Sequence, residues 1–102
     1  MRNKTCDFIN RLKEMKYPPY VEKIIIYGSE VYGTPNIFSD IDIAAVLNNV
    51  PSRAQRIDID EIIDEAEPPY EYQLIFISKQ GKIKKWDVRK DVFEKGMVVY
   101  AK

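Results

Sequence analysis

Hydrophobic positions fall into two rhythms along this chain, and the switching between them predicts the elements. Over residues 2–16, Phe8, Ile9, Leu12 and Met15 recur at helical spacing among Lys and Arg until Pro18-Pro19 end the pattern, which predicts an amphipathic first helix. Residues 21–27 (VEKIIIY) are a short β-branched and aromatic run closed by Gly28, as expected of a buried strand that turns sharply. After a Gly/Pro/Asn loop with room for a single helical turn, residues 40–47 (DIDIAAVL) open in strict alternation and predict a second strand, broken by Asn48-Asn49 and Pro51. Residues 52–66 place Ile57, Ile62, Ile63 and Ala66 on one side of a charged helix that Pro68-Pro69 stop. Residues 70–78 (YEYQLIFIS) read as a third strand turning at Gln80-Gly81. A basic helix over 82–95, with Ile83, Trp86, Val88, Val92 and Phe93 available for packing, precedes Gly96 and a last strand, MVVY. This order predicts an α+β domain, a mixed sheet of about four strands with helices packed on one face, spanning residues 1–102 as a single unit.

Composition narrows the function more than the fold. Apolar residues are 45% and charged residues 31% of the chain, the balance of an ordinary globular protein. Lys+Arg and Asp+Glu are equal at 16 each, so the basic field that a binder of long nucleic acid needs is missing. Cys6 stands alone, which excludes an internal disulfide, fits a small buried apolar role and points to a reducing cytoplasm. The segment MRNKTCDFINRLKEMK alternates charge with hydrophobes, and no apolar run approaches the ~18 residues of a membrane span, so neither secretion nor insertion is expected. Histidine is absent, which removes His-based acid/base catalysis, Ser-His-Asp triads and most zinc sites. Chemistry must rest on carboxylates, hydroxyls, lysines and metals.

The segment that offers such chemistry is YGSEVYGTPNIFSDIDIAAV, residues 27–46. Gly28 lets the backbone turn without a Cβ and lets a ligand come close, and Ser29 adds a hydroxyl beside backbone N–H groups at a helix start, a natural phosphate cradle. Asp40 and Asp42, two apart on a strand, project from one face with Cα atoms roughly 6.5 Å apart, while Ile41 and Ile43 point into the core. Two carboxylates so placed can share hard cations, and two Mg²⁺ ions ~3.5–4 Å apart are the usual arrangement for in-line attack at phosphorus. A second acidic stretch, IDIDEI with Asp58, Asp60 and Glu61, fails the same test. On a helix, positions two apart lie about 200° around the axis, so it reads as a solvated face. Lys82, Lys84, Lys85, Arg89, Lys90 and Lys95 make the last helix basic, which fits a solvated face or one turned to phosphates or an acidic partner.

With Gly28, Ser29, Gly33, Ser39, Asp40 and Asp42 in register, the chain resembles the nucleotidyltransferase superfamily of DNA polymerase beta, whose signature is G-S, typically x-A-R-G, a loop, and S-D-x-D. It departs from that signature with Val31 where Ala is common and Tyr32 where Arg is common. The family's third carboxylate lies on a later strand, and Glu71 is the best match in YEYQLIFIS, with Gln73 on the same strand face as a candidate substrate contact. The ending FEKGMVVYAK is similar to that of the minimal, single-domain branch, so the resemblance runs from Ile24 to Tyr100. It implies a polymerase beta-like fold and Mg²⁺ bound by Asp40, Asp42 and Glu71. It implies a nucleoside triphosphate, with ATP the expected donor, held at Gly28, Ser29 and Ser39, and transfer of a nucleoside monophosphate to a hydroxyl acceptor. Minimal members often pair with a small helical HEPN-type protein as a toxin–antitoxin module, so that partner, modified on a tyrosine, is one implied acceptor; a homodimer is also admitted. The rival reading is an antitoxin that acts by binding alone, its catalytic centre weakened by Tyr32 and Glu71.

Overall fold

A computed structural model describes residues 2–28, 31, 40–79 and 88–102. Its elements run α1 (Asn3–Glu14), β1 (Val21–Tyr27), β2 (Ile41–Leu47), α2 (Arg53–Glu65), β3 (Tyr72–Ser78), α3 (Val88–Lys95) and β4 (Met97–Ala101). The four strands form one sheet in the order β3-β2-β1-β4. β1 runs antiparallel to both β2 and β4, whereas β2 and β3 are parallel, joined by the crossover helix α2. The α+β class and the mixed four-stranded sheet are as the hydrophobic pattern predicts.

Side-chain alternation along the strands divides the interior in two. Ile41, Ile43, Ala45 and Leu47 of β2 join Ile24 and Ile26 of β1 in the larger cluster, which Phe8, Ile9 and Leu12 of α1 and Ile59 and Ile63 of α2 cover. Ala44 and Val46 face the other way, with Ile25, Ile77 and Val92. Thus α1 and α2 share one face, and Val92 of α3 packs on the opposite one.

Two local readings need correction. In α2 the buried stripe is Ile59, Ile63 and Ala66, at i, i+4 and i+7, while Ile57 is 48% exposed. Ile57 lies about 200° around the axis from Ile59, so only one of them can face the sheet, and the spacing to Ala66 favours Ile59. In α1 the residue facing the core ahead of Phe8 is Thr5, and Cys6, 100° further round, is exposed. The helix reads Thr5-Phe8-Ile9-Leu12 as its buried side.

Polar contacts set the limits of α2. Ser52 and Gln55 form a reciprocal capping box: the Gln55 amide donates to Ser52 Oγ at 3.2 Å and the Ser52 amide donates to Gln55 Oε1 at 3.0 Å. At the other end Glu67 takes a left-handed conformation, φ 57°. There Arg11 of α1 donates from Nε to the Ala66 carbonyl at 2.7 Å and from Nη2 to the Glu67 carbonyl at 2.8 Å. One guanidinium thereby satisfies two carbonyls at the C-terminus of the neighbouring helix, where positive charge is favoured.

Candidate functional site

The site is built where β1 ends and β2 begins. Asp42 is the second residue of β2 and pairs with Tyr27, the last residue of β1, on one side and with Gln73 of β3 on the other. The alternation that buries Ile41 and Ile43 completely turns Asp42 to the opposite face, and Asp40 stands half-buried just before the strand. The expected burial of Ile41 and Ile43, the two isoleucines that flank Asp42, is therefore what the structure contains.

Gly28 follows Tyr27 with φ +79°, a left-handed conformation that glycine adopts without a Cβ penalty. A Cβ built there would overlap Asp42 Oδ2 and stand 3.1 Å from Asp42 Cγ. The missing side chain is thus the space into which the Asp42 carboxylate fits. The Gly28 carbonyl accepts from the Val31 amide at 3.0 Å, which starts the turn after β1.

Burial raises the pKa of Asp42 above the usual carboxylate value, and the nearby negative charge of Asp40 raises it further. Two carboxylates are thus crowded at a partly desolvated strand end, where a cation would relieve both costs. The glycine-made opening and the all-oxygen donor set fit a hard divalent ion such as Mg²⁺.

Glu71 is placed differently. Its carbonyl accepts from the Ile41 amide at 2.9 Å, fixing the start of β3 beside β2. The residue is exposed and borders a hollow of about 510 Å³ shared with Asp64, Pro68, Pro69, Tyr70 and Tyr72 at the end of α2. Among the described residues, no three Asp, Glu, Cys or His side chains gather in a group able to hold a metal ion. Asp40 and Asp42 lie two apart at the start of β2, and Glu71 lies beside them just ahead of the Ile41–Tyr72 pair, without the three forming such a group. Ser29, Ser39, Tyr32 and Gly33 lie outside the described residues, as do Trp86 and the lysines at 82, 84 and 85.

The second acidic stretch behaves as its helical spacing requires: Asp58, Asp60 and Glu61 are all exposed. Asp60 has one job that no local pattern announces, since its carboxylate accepts from the Tyr72 hydroxyl at 2.7 Å, linking α2 to β3. The signal is a nonlocal register, invisible to spacing along the chain.

Comparison with known proteins adds to this geometry. Residues 9–102 match the family described as "Polymerase beta, Nucleotidyltransferase". No curated protein sequence matches significantly. Among solved structures, a toxin–antitoxin MntA-HpeT complex carrying two aspartate-to-glutamate substitutions is similar at 18% identity and TM-score 0.61, covering 99% of this chain and 75% of that one. A toxin–antitoxin structure with AMP-PNP is similar at 19% identity and TM-score 0.59, with the same coverage. A tri-AMPylated HEPN toxin of Shewanella oneidensis in complex with MNT antitoxin is similar at 15% identity and TM-score 0.57, covering 97% of this chain and 73% of that one. At these identities the likeness establishes a shared fold. Among the described residues no helix is long and apolar enough to cross a membrane.

Proposed function

The chain belongs to the polymerase beta nucleotidyltransferase family, and on that premise we propose that it transfers a nucleoside monophosphate, AMP from ATP, to a hydroxyl acceptor. The observation that carries this reading is Asp42 seated against Gly28 with the charge of Asp40 close by. Asp40 and Asp42 hold the divalent cation, which when bound polarises phosphate oxygens and offsets the charge on the leaving group. Gly28, Ser29 and Ser39 are assigned to the triphosphate, the serines as hydroxyl donors and Gly28 as the turn whose missing side chain admits Asp42 beside it. In the transfer, an acceptor oxygen forms a bond to the α-phosphorus as the α–β anhydride bond breaks and pyrophosphate departs. Glu71, whose backbone pairs with Ile41 one residue from Asp40, is assigned to position that oxygen and receive its proton.

The acceptor is a hydroxyl of a partner protein. Support comes from the fold shared with an MNT antitoxin bound to a tri-AMPylated HEPN toxin. A domain with so few walls leaves proximity to be supplied by whatever docks against it. A second reading, neutralisation by binding alone, draws support from the lack of a three-carboxylate group among the described residues.

Intact mass spectrometry of a HEPN-type partner incubated with the protein, ATP and Mg²⁺ decides between them. Addition of AMP units by wild type, and none by the Asp40→Asn/Asp42→Asn double variant, is the expected result. A partner that stays unmodified yet is neutralised by both proteins overturns the transfer reading in favour of binding.

A further inference from the structure

β3 presents two polar residues at the end of the sheet where the aspartate pair lies, and they do not occupy equivalent places. Tyr72, Leu74 and Phe76 line a groove against Arg56, Ile57 and Asp60 of α2, whereas Ile75 packs with the cluster on the opposite face. Gln73, which alternates with the first set, therefore stands on the face of Asp42, its direct partner in the parallel ladder. Adjacent strands lie about 4.8 Å apart, so the exposed Gln73 is the β3 neighbour of Asp42 on that face, while Glu71 borders the hollow with Asp64.

We infer that Gln73 is the positioning residue on β3 that sets the charge of the cation site, holding it at two carboxylates so that the free protein takes one divalent ion rather than a pair. This inference rests on the reading of Asp40 and Asp42 as the cation site. Gln73 flanks Asp42 with a neutral amide, so the neighbour of that carboxylate on β3 brings oxygen without charge. Affinity of oxygen sites for hard cations follows the number of charged ligands and the rigidity with which they are held. Two carboxylates balance one divalent ion; a second ion calls for anionic oxygens that the amide of Gln73 does not supply, and incoming phosphates can.

The experiment is a Mn²⁺ titration without nucleotide, read by the free-ion electron paramagnetic resonance signal and by calorimetry, on folded proteins matched by melting temperature. Wild type is expected to bind one equivalent. Gln73→Asp and Gln73→Glu should each tighten Mn²⁺ by about tenfold or add a second equivalent, because each supplies a third charged ligand. Glu71→Gln should leave the affinity within about twofold, since its carboxylate is not a ligand. If neither Gln73 variant changes affinity or stoichiometry while Asp42→Asn abolishes binding, the aspartate site stands and the role of Gln73 is refuted. Loss of binding in Glu71→Gln refutes it equally. If Asp42→Asn binds as wild type does, both the cation site and this inference fall.

Discussion

The carboxylate of Asp42 fills the space in which a side chain at Gly28 would have to stand. The last turn of β1 and the second residue of β2 thus share one volume, and any methyl added at Gly28 must displace the acid. Gly28→Ala meets this overlap and the cost of a left-handed φ together, and should lose about 1–3 kcal/mol of stability. Divalent-ion binding should fall with it. Chemical denaturation and Mn²⁺ titration check the two effects; an alanine variant as stable and as tightly metallated as wild type contradicts the packing described.

Asp42 carries a raised folded-state pKa, from burial first and from Asp40 second. An acid whose pKa rises on folding favours the folded state fully below its unfolded value, and that contribution is lost as pH rises through the folded value. At neutral pH without cation the charge therefore works against folding. Asp42→Asn should melt a few degrees higher than wild type at pH 7, with the gap closing below the ordinary carboxylate range. Thermal melts across pH 3 to 8 in a chelator test this, and a variant less stable at pH 7 would count against it.

Tyr72 is the counterpart on the basic side. Burial, then its hydrogen bond to Asp60, then the charges of Asp60 and Asp64 push its phenol upward. The stabilisation is complete below the unfolded tyrosine value and is lost as pH climbs through the folded one. Tyr72→Phe should cost about 1 kcal/mol at neutral pH. The difference between the two proteins should narrow in strongly alkaline solution, where urea midpoints at pH 7 and above pH 10 provide the comparison.

Arg11 reaches two carbonyls across the junction of α1 and α2. Arg11→Ala removes both bonds, the one to Ala66 partly shielded from solvent and the one to Glu67 exposed, and should cost about 1 kcal/mol. Arg11→Lys should recover only part, because an ammonium lacks the planar fork that meets two acceptors at once. Urea midpoints order the three proteins.

Thr5 is fully buried with an unpartnered Oγ1. Replacing the hydroxyl by a methyl keeps the shape and removes a desolvated polar atom, so Thr5→Val should stabilise by about 1 kcal/mol. A lower melting temperature in the valine protein would show that the hydroxyl is satisfied.

Much of this architecture is readable from local pattern. Asp42 turned away from the buried Ile41 and Ile43 on either side of it, and Gly28 closing β1, follow from a period of two and a backbone without Cβ. Faces of helices were harder, since Ile57 and Ile59 satisfy the same charged-helix pattern, and the sheet beneath decides which is buried. The register of β3 was not readable, because parallel pairing of Asp42 with Gln73 joins residues 31 positions apart through a crossover helix. Spacing puts Glu71 and Gln73 on one strand face, but only the pairing of β3 with β2 says which of the two stands beside Asp42.

The strand order has one more consequence. β2 lies inside the sheet, laddered to β1 on one flank and β3 on the other, while β3 and β4 form the borders. Transient openings of a native sheet begin at its borders, where amides exchange with solvent at low free-energy cost. Asp42 rides on one of the two interior strands, with Asp40 immediately before it. In deuterium exchange the amides of β2 should outlast those of β4, so the carboxylate pair persists through openings at the borders.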